Sequence, residues 1–400
     1  MVAWKTAKLG DLVSFKTGKL DSNAAVPNGD YPFFTCSQET LRTNTFSFDT
    51  ECVLLAGNNA NGIYPLKYFH GKFDAYQRTY VVKPRDTNLL TTRFLYYALR
   101  PKLSEFRSVS TGAATKFLTL TILNDTTIEV PPLAVQRRIA GILSAYDELM
   151  ENSQRRIRIL EAMARALYRE WFVHFRFPGH EKIPRVASPL GEIPKGWEVK
   201  KLDAICRSIQ DGDWIETKDQ GGNDYRLLQI SNVGVGEFIE TGNFRFVTQA
   251  TFERLRCTEI TLGDILVARM PTPIGRAWLA TAMPWRMITA VDVAIIRVQV
   301  AFLNALFLAQ AWNEPSNLKR IAAQASGTTR LRITRRELAA LEFVVPPAEL
   351  QLRFANFVEP KIEMIQALRL QMQNLRRMRD LLLPRLLSGQ VKLAVANTKE

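Results

Sequence analysis

Val130-Pro131-Pro132-Leu133-Ala134-Val135-Gln136 recurs later in the chain as Val345-Pro346-Pro347-Ala348-Glu349-Leu350-Gln351. The offset is 215 residues for Pro131 to Pro346 and for Gln136 to Gln351, and the same for Gly112 to Gly327 just upstream. There, Ser110-Thr111-Gly112-Ala113-Ala114-Thr115-Lys116-Phe117-Leu118 is echoed by Ala325-Ser326-Gly327-Thr328-Thr329-Arg330-Leu331-Arg332-Ile333. The starts of the two halves match more loosely, Trp4 to Leu12 against Trp197 to Ile205. The chain is therefore two copies of one plan, and a molecule with internal pseudo-symmetry suits a target that comes in two parts.

After each Pro-Pro the apolar period changes from two to about 3.5, which predicts a long helix with one narrow stripe. In the first copy the stripe is Ile139, Ile142, Tyr146, Met150, Ser153, Ile157, Leu160, Ala164, Leu167 and Trp171. In the second it is Phe354, Val358, Ile362, Ile365, Leu368, Met372, Leu375, Met378, Leu382 and Leu386. A single narrow stripe needs a partner, and the simplest partner is the other helix. The packing positions expected to matter most are Ile157, Leu160, Ala164, Leu167 and Trp171 against Ile365, Leu368, Met372, Leu375 and Leu382. Pro360 should end a short first helix and start the long one, and Pro384 should stop or kink its last turn.

Ahead of each helix lies a mixed α/β domain. Tyr31 to Phe34, Cys52 to Leu55 and Tyr80 to Lys83 read as strands in the first copy, with Thr92 to Leu99 as an amphipathic helix. Tyr225 to Ile230, Asp264 to Ala268 and Val293 to Arg297 are the strands of the second, with Asn304 to Gln310 as its helix. The expected fold is thus two globular α/β domains in pseudo-two-fold repeat, separated by two long helices packed as an antiparallel coiled coil. The divisions are a first domain at 1–133, a first spacer helix at 134–176, a Pro/Gly-rich linker at 177–196, a second domain at 197–347, a second spacer helix at 348–388 and a tail at 389–400.

Composition sets the partner class. Over 400 residues, 46% are hydrophobic, so the chain folds rather than staying disordered. Lys and Arg number 53 against 39 Asp and Glu, a formal charge of +14. A surplus of that size on a folded chain points to a polyanion. Cys36, Cys52, Cys206 and Cys257 are scattered, with no Cys-x-x-Cys, and there are three histidines, so no metal site and a reduced, cytoplasmic setting are expected. No stretch is long and apolar enough for a membrane span, and no leader is expected.

Catalytic motifs were sought. The two Pro-Pro pairs follow Val130 and Val345, so neither is the Asn/Asp-Pro-Pro-aromatic element that grips a flipped adenine. Val233-Gly234-Val235-Gly236 lacks the third glycine of a dinucleotide loop, and no phosphate-binding Gly-x4-Gly-Lys-Ser/Thr loop exists. Glu198/Lys200, Glu216/Lys218 and Glu359/Lys361 lack the upstream acid of a metal-dependent nuclease. The chain is read as non-catalytic.

Residues suited to nucleic acid are polar and basic at loops. Thr111, Lys116, Thr328, Arg330 and Arg332 in the twin glycine loops offer hydroxyls and cations to phosphates, although a plain helix-to-strand turn would look similar. Asn58, Asn59 and Asn61 carry amides that can pair with adenine, although asparagine is also a common turn former. Lys19, Gln77, Arg78, Arg226, Gln229, Asn232, Arg269 and Arg276 are comparable candidates.

Taken together, these motifs resemble the specificity subunit of type I restriction–modification enzymes over nearly the full chain. The resemblance rests on Gly112-x-x-Thr115 and Gly327-x-x-Arg330 ahead of Pro-Pro-x-x-x-Gln. It rests also on Leu160-Glu161-x-x-Ala164-x-x-Leu167-x-x-x-Trp171-Phe172, Phe177-Pro178-Gly179, Gly191-Glu192-Ile193-Pro194-Lys195-Gly196-Trp197 and Leu382 to Gly389. Thr115 and Arg330 depart from the family's usual glutamine. The resemblance implies two target-recognition domains, each reading one half of a split, asymmetric site in double-stranded DNA. It implies two methyltransferase subunits docked on the helices, with S-adenosylmethionine bound in them. Motor–nuclease subunits, using ATP and magnesium, would be further partners. The rival readings are a fused methyltransferase–nuclease, which the missing motifs disfavour, and a scaffold that binds no DNA, which the charge disfavours. Independently, a helix from Asp147 to Trp171 would span about 37 Å at 1.5 Å per residue. One DNA turn is roughly 34–36 Å, so such a helix can act as a ruler between two readers.

Overall fold

The computed structural model describes residues 4–59, 62–110, 116–327, 330–391 and 393. The chain forms two compact units, Met1–Arg155 with Leu368–Glu400, and Arg156–Ala367. Each unit therefore takes part of both long helices.

The sequence repeat is the repeat of a frame. In the first unit the strand Lys5–Lys8 pairs antiparallel with Thr127–Val130, Lys5 opposite Val130. In the second, Glu198–Lys201 pairs with Glu342–Val345, Glu198 opposite Val345. One-turn helices follow at Leu9–Leu12 and Leu202–Ile205. Their first N–H groups donate to the carbonyls of Thr126 and Leu341, at 2.8 Å in both units. Thr126 and Leu341 are again 215 residues apart.

The Pro-Pro pair then turns strand into helix. Proline lacks an N–H, so it cannot extend a strand ladder, while its fixed φ suits a helix start. The glutamine that follows is buried and bonded at every polar atom. Gln136 Oε1 accepts from the Thr91 N–H at 2.9 Å, and its Nε2 donates to the carbonyls of Leu89 and Pro131 at 2.8 Å each. Gln351 Oε1 accepts from the Asn304 N–H at 2.8 Å, and its Nε2 donates to Phe302 at 3.1 Å and Pro346 at 2.8 Å. Thr91 and Asn304 are the N-caps of the helices Thr92–Leu99 and Ala305–Asn313. Each glutamine thus ties a long helix to the capped end of its domain's own helix.

Between these shared parts the units differ. The first has a six-stranded sheet in the order Val13–Thr17, Thr79–Pro84, Phe48–Ala56, Leu66–Ala75, Tyr31–Phe34, Leu41–Thr43. The second has a four-stranded sheet, Cys206–Asp211, Val293–Val298, Ile265–Ala268 and Ala277–Leu279. A separate three-stranded sheet holds Phe246–Val247, Tyr225–Leu228 and Arg286–Thr289. The expected strands of the first unit, its helix and Val293–Arg297 lie within these elements; in the second unit Tyr225–Ile230 runs past its strand into a tight helical turn at Ile230–Asn232, Asp264 precedes the strand Ile265–Ala268, and Asn304 is the N-cap of Ala305–Asn313.

The first long helix is Leu133–Tyr168, 36 residues, continued by a π-helical turn at Arg169–Val173 that carries Trp171. At 1.5 Å per residue it is about 54 Å long. The second is Ala348–Leu387, 40 residues. Within the first unit they run antiparallel. Arg379 Nη1 meets Asp147 Oδ1 at 2.6 Å, and further along Leu383 and Leu386 join the core of Ile139, Ala140 and Leu143. Within the second unit they are antiparallel again: Arg156 reaches the sulfur of Met364, and Tyr168, Trp171 and Phe172 pack on Phe354. Ile157, Ala164 and Trp171 on the first helix are buried, as are Ile365 and Leu368 on the second, while Leu160, Leu167, Met372, Leu375 and Leu382 are half-buried.

Three expectations are corrected. Pro360 does not divide the second helix, which runs through it. The proline costs one hydrogen bond to the carbonyl of Asn356, and both residues face solvent, so water can satisfy that carbonyl while buried Phe354 and Val358 hold the helix in place. Met378 is exposed, and Arg379 takes the seam position in its stead, because Asp147 supplies a partner there. The segment 177–196 is more than a linker: Arg185–Ser188 and Gly191–Pro194 form a hairpin, and Phe177 packs on Trp197. No helix among the described residues is long and apolar enough to cross a membrane.

Gln351→Met keeps the side-chain volume but removes three bonds and leaves buried backbone groups unpaired. Chemical denaturation should show a loss of roughly 2–4 kcal/mol. A loss below about 1 kcal/mol would refute the clamp.

Candidate nucleic-acid interface

In the first unit the candidates from separate stretches of sequence meet. Asn58–Asn59 pairs antiparallel with Lys116–Phe117, Asn58 opposite Phe117 and Asn59 opposite Lys116. Arg78 is exposed and lies over the Phe117 ring, 5.4 Å from its centre. Gly57 joins these segments: its N–H donates to the Arg78 carbonyl at 2.7 Å and its carbonyl accepts from the Leu118 N–H at 2.9 Å. A Cβ at Gly57 would lie 2.6 Å from the Arg78 carbonyl oxygen, which is why glycine is needed there. The Cys36 thiol donates to Asn58 Oδ1 at 2.9 Å. Leu20 bridges Tyr76 and accepts from the Gln77 N–H, so exposed Lys19 and Gln77 sit on the neighbouring edge. Gln77 Nε2 donates to Asp21 at 2.7 Å. Lys19, Asn58, Asn59, Gln77, Arg78 and Lys116 therefore share one polar, basic edge.

The second unit fills the same slots with other residues. The Ile333 N–H donates to the Arg269 carbonyl at 3.1 Å, as Leu118 does to Gly57. The Arg269 N–H donates to Asp292, as Gly57 does to Arg78. Arg332 ion-pairs with Asp292 at 2.9 Å, where Phe117 meets Arg78 in the first unit. Ser326 and Arg332 exchange backbone bonds of 3.0 Å, closing the glycine loop, and Arg330 is exposed on it. Asn61, Thr111 and Thr328 lie outside the described residues.

Several candidates of the second unit are corrected to framework residues. Arg226 is 1% exposed, forms a two-pronged pair with Glu240 at 2.8 and 2.7 Å, and is enclosed by the rings of Phe238, Phe244 and Trp285. Arg276 spends its guanidinium on the carbonyls of Val233, Ile230, Pro271 and Pro273. Gln229 and Asn232 cap one another in a tight helical turn, and Asn232 also donates to Ile239 at 2.9 Å. Arg269 is buried, with its charge on Asp211 at 2.7 Å and a bond to the Val291 carbonyl at 2.6 Å. In all five cases a side chain able to read a base in sequence terms is engaged by carbonyls, carboxylates or backbone N–H groups of its own unit.

The sequence reading missed Trp214, 72% exposed, on the loop after Cys206–Asp211. An exposed indole suits base stacking. Its neighbour Asp213 is pushed up to about 6 by burial, although the Thr258 N–H and the Cys257 thiol favour its charged form. Only exposure distinguishes Trp214 from the other tryptophans, and sequence carries no such signal.

The family described as the type I restriction modification DNA specificity domain matches residues 1–162. The specificity subunit of the type I restriction enzyme EcoDI of Escherichia coli is 39% identical over 224 residues, 51% of this chain. This chain spans only 49% of that relative's length. The MjaIX specificity subunit of Methanocaldococcus jannaschii is 24% identical over 321 residues, covering 78% of this chain and 71% of the relative. A type I S subunit from M. genitalium has the same fold, with a TM-score of 0.65 at 16% identity over 96% of both chains.

Removing a framework arginine and an edge cation should give opposite results. Arg226→Ala should cost on the order of 3 kcal/mol in denaturation, because it breaks a buried pair. Arg78→Ala and Lys116→Ala should stay within about 1 kcal/mol of the parent and each make the salt dependence of DNA binding shallower by about one. A stable Arg226→Ala protein with weakened DNA binding would reverse the assignment.

Proposed function

We propose that the chain is the non-catalytic DNA-recognition subunit of a type I restriction–modification enzyme, each unit reading one half of a bipartite, asymmetric site. The observation that carries this is the contrast inside the repeat. The frame, from paired strands to glutamine clamp, is the same in both units, while the sheets and the residues in the edge slots differ. A shared frame with different readers suits two different half-sites. Under this reading the long helices set the gap between half-sites and dock two methyltransferase subunits. Those subunits would supply S-adenosylmethionine and the chemistry, and motor–nuclease subunits would add ATP-driven cleavage.

The test is co-expression with the methyltransferase subunit, followed by genome-wide mapping of N6-methyladenine. A bipartite motif is expected, and replacing residues 197–347 with the matching domain of another specificity subunit should change one half of it only. A continuous palindrome, or no methylation with a competent partner, would sink the reading. Separately, inserting residues within Glu151–Arg158, matched on the facing helix, should lengthen the unread gap. An active insertion variant with an unchanged gap would remove the ruler role.

A further inference from the structure

The second unit holds a cavity of about 600 Å³ whose wall includes Arg207, Arg269, Arg332, Arg335 and Arg336. Only two carboxylates, Asp203 and Asp211, line it as well. Asp211 pairs with Arg269, and Asp292, behind the wall, pairs with Arg332. Arg207, Arg335 and Arg336 are exposed and have no ion-pair partner among the described residues. Five guanidinium groups thus converge with three charges uncompensated by direct pairing. Like charges crowd together only at a cost, and a bound anion would remove it.

Two further observations point to an occupant. The side chain of Arg269 is only 4% exposed, and its Nε–H is buried with no acceptor. The Nε–H of Arg332 is likewise buried and unpaired. A buried, unsatisfied donor on a charged group is costly, and a tetrahedral oxyanion offers several acceptors at once.

The first unit does not repeat these arginines in sequence. The residues in the repeat positions of Arg207, Arg269, Arg332, Arg335 and Arg336 are Ser14, Gly57, Phe117, Leu120 and Thr121. All five are uncharged.

We infer that this arginine cleft of the second unit is a phosphate-binding site, present in one half of the molecule only. Its assignment to a phosphodiester of the DNA backbone rests on the function proposed above; free inorganic phosphate is the other source of the same chemistry. As a consequence the second unit grips its half-site with more of the salt-dependent, sequence-independent affinity than the first.

The experiment uses the full chain with inorganic phosphate as probe, and thermal unfolding at constant ionic strength against chloride. Phosphate should raise the Tm of the parent protein and of Arg155→Ala/Arg158→Ala, which removes two exposed helix charges. It should not raise that of Arg335→Ala/Arg336→Ala, whose side chains are exposed and make no ion pair among the described residues. The absence of a phosphate-specific rise in the parent, or a full rise in Arg335→Ala/Arg336→Ala, overturns the site. A second arm measures duplex DNA binding across a salt series. A slope shallower by about one in Arg335→Ala/Arg336→Ala identifies the ligand as backbone phosphodiester, and an unchanged slope identifies it as free phosphate. A phosphate response in a chain that directs no bipartite methylation would leave the cleft standing and remove the DNA-recognition reading alone.

Discussion

Everything in each unit hangs on one buried amide. Gln136 and Gln351 are fully buried and use all three of their bonds to hold a Pro-Pro turn, the end of a loop and the N-cap of a domain helix together. Burying an amide is unfavourable unless each donor and acceptor is met. Here the bonds go to backbone groups, so the geometry is set by the chain path and not by neighbouring side chains. The clamp therefore fixes the direction in which each long helix leaves its domain. It also explains why the surrounding motif is the best preserved part of the internal repeat: the bonds demand glutamine at that spacing after Pro-Pro.

Away from the clamp the repeat permits exchange of chemistry at fixed positions. Gly57 and Arg269 occupy one slot, Arg78 and Asp292 another, Phe117 and Arg332 a third. In one unit a guanidinium lies on a ring; in the other a guanidinium meets a carboxylate. Backbone bonds define the slot, so the side chain is free to vary. That freedom is what the proposed pair of half-site readers would require.

The helix pairs show the same principle. In the first unit Arg379 is buried against Asp147, which also accepts from the Tyr97 hydroxyl at 2.7 Å. The repeat positions in the second unit are Ala164 and Ile362, an apolar seam. Pairing a first helix with another first helix would set Asp147 against Ala164, removing its 2.6 Å pair with Arg379 and leaving only the longer 3.5 Å contact with Arg100. Losing the closer of two partners at a half-buried carboxylate is unfavourable, so the polar pair favours the first helix's proper mate.

The duplication, the two helices and most elements of each domain are legible in the chain alone, because these are written in local period, turn residues and a constant offset. Thr92–Leu99 was legible from its amphipathic spacing and the Pro-Pro junctions from their recurrence. The use of individual polar residues emerges only once the chain is folded. Arg226 and Arg78 are the same residue type on comparable stretches, yet one is enclosed by three rings and a carboxylate and the other is exposed at an edge. Pro360 looked like a break, but its orphaned carbonyl faces water and the seam on either side is buried. The arginine cleft draws Arg207, Arg269 and Arg332 to Arg336 from segments far apart in the chain. Burial and partner choice are long-range properties, and no local pattern in a chain encodes which distant carboxylate an arginine will meet.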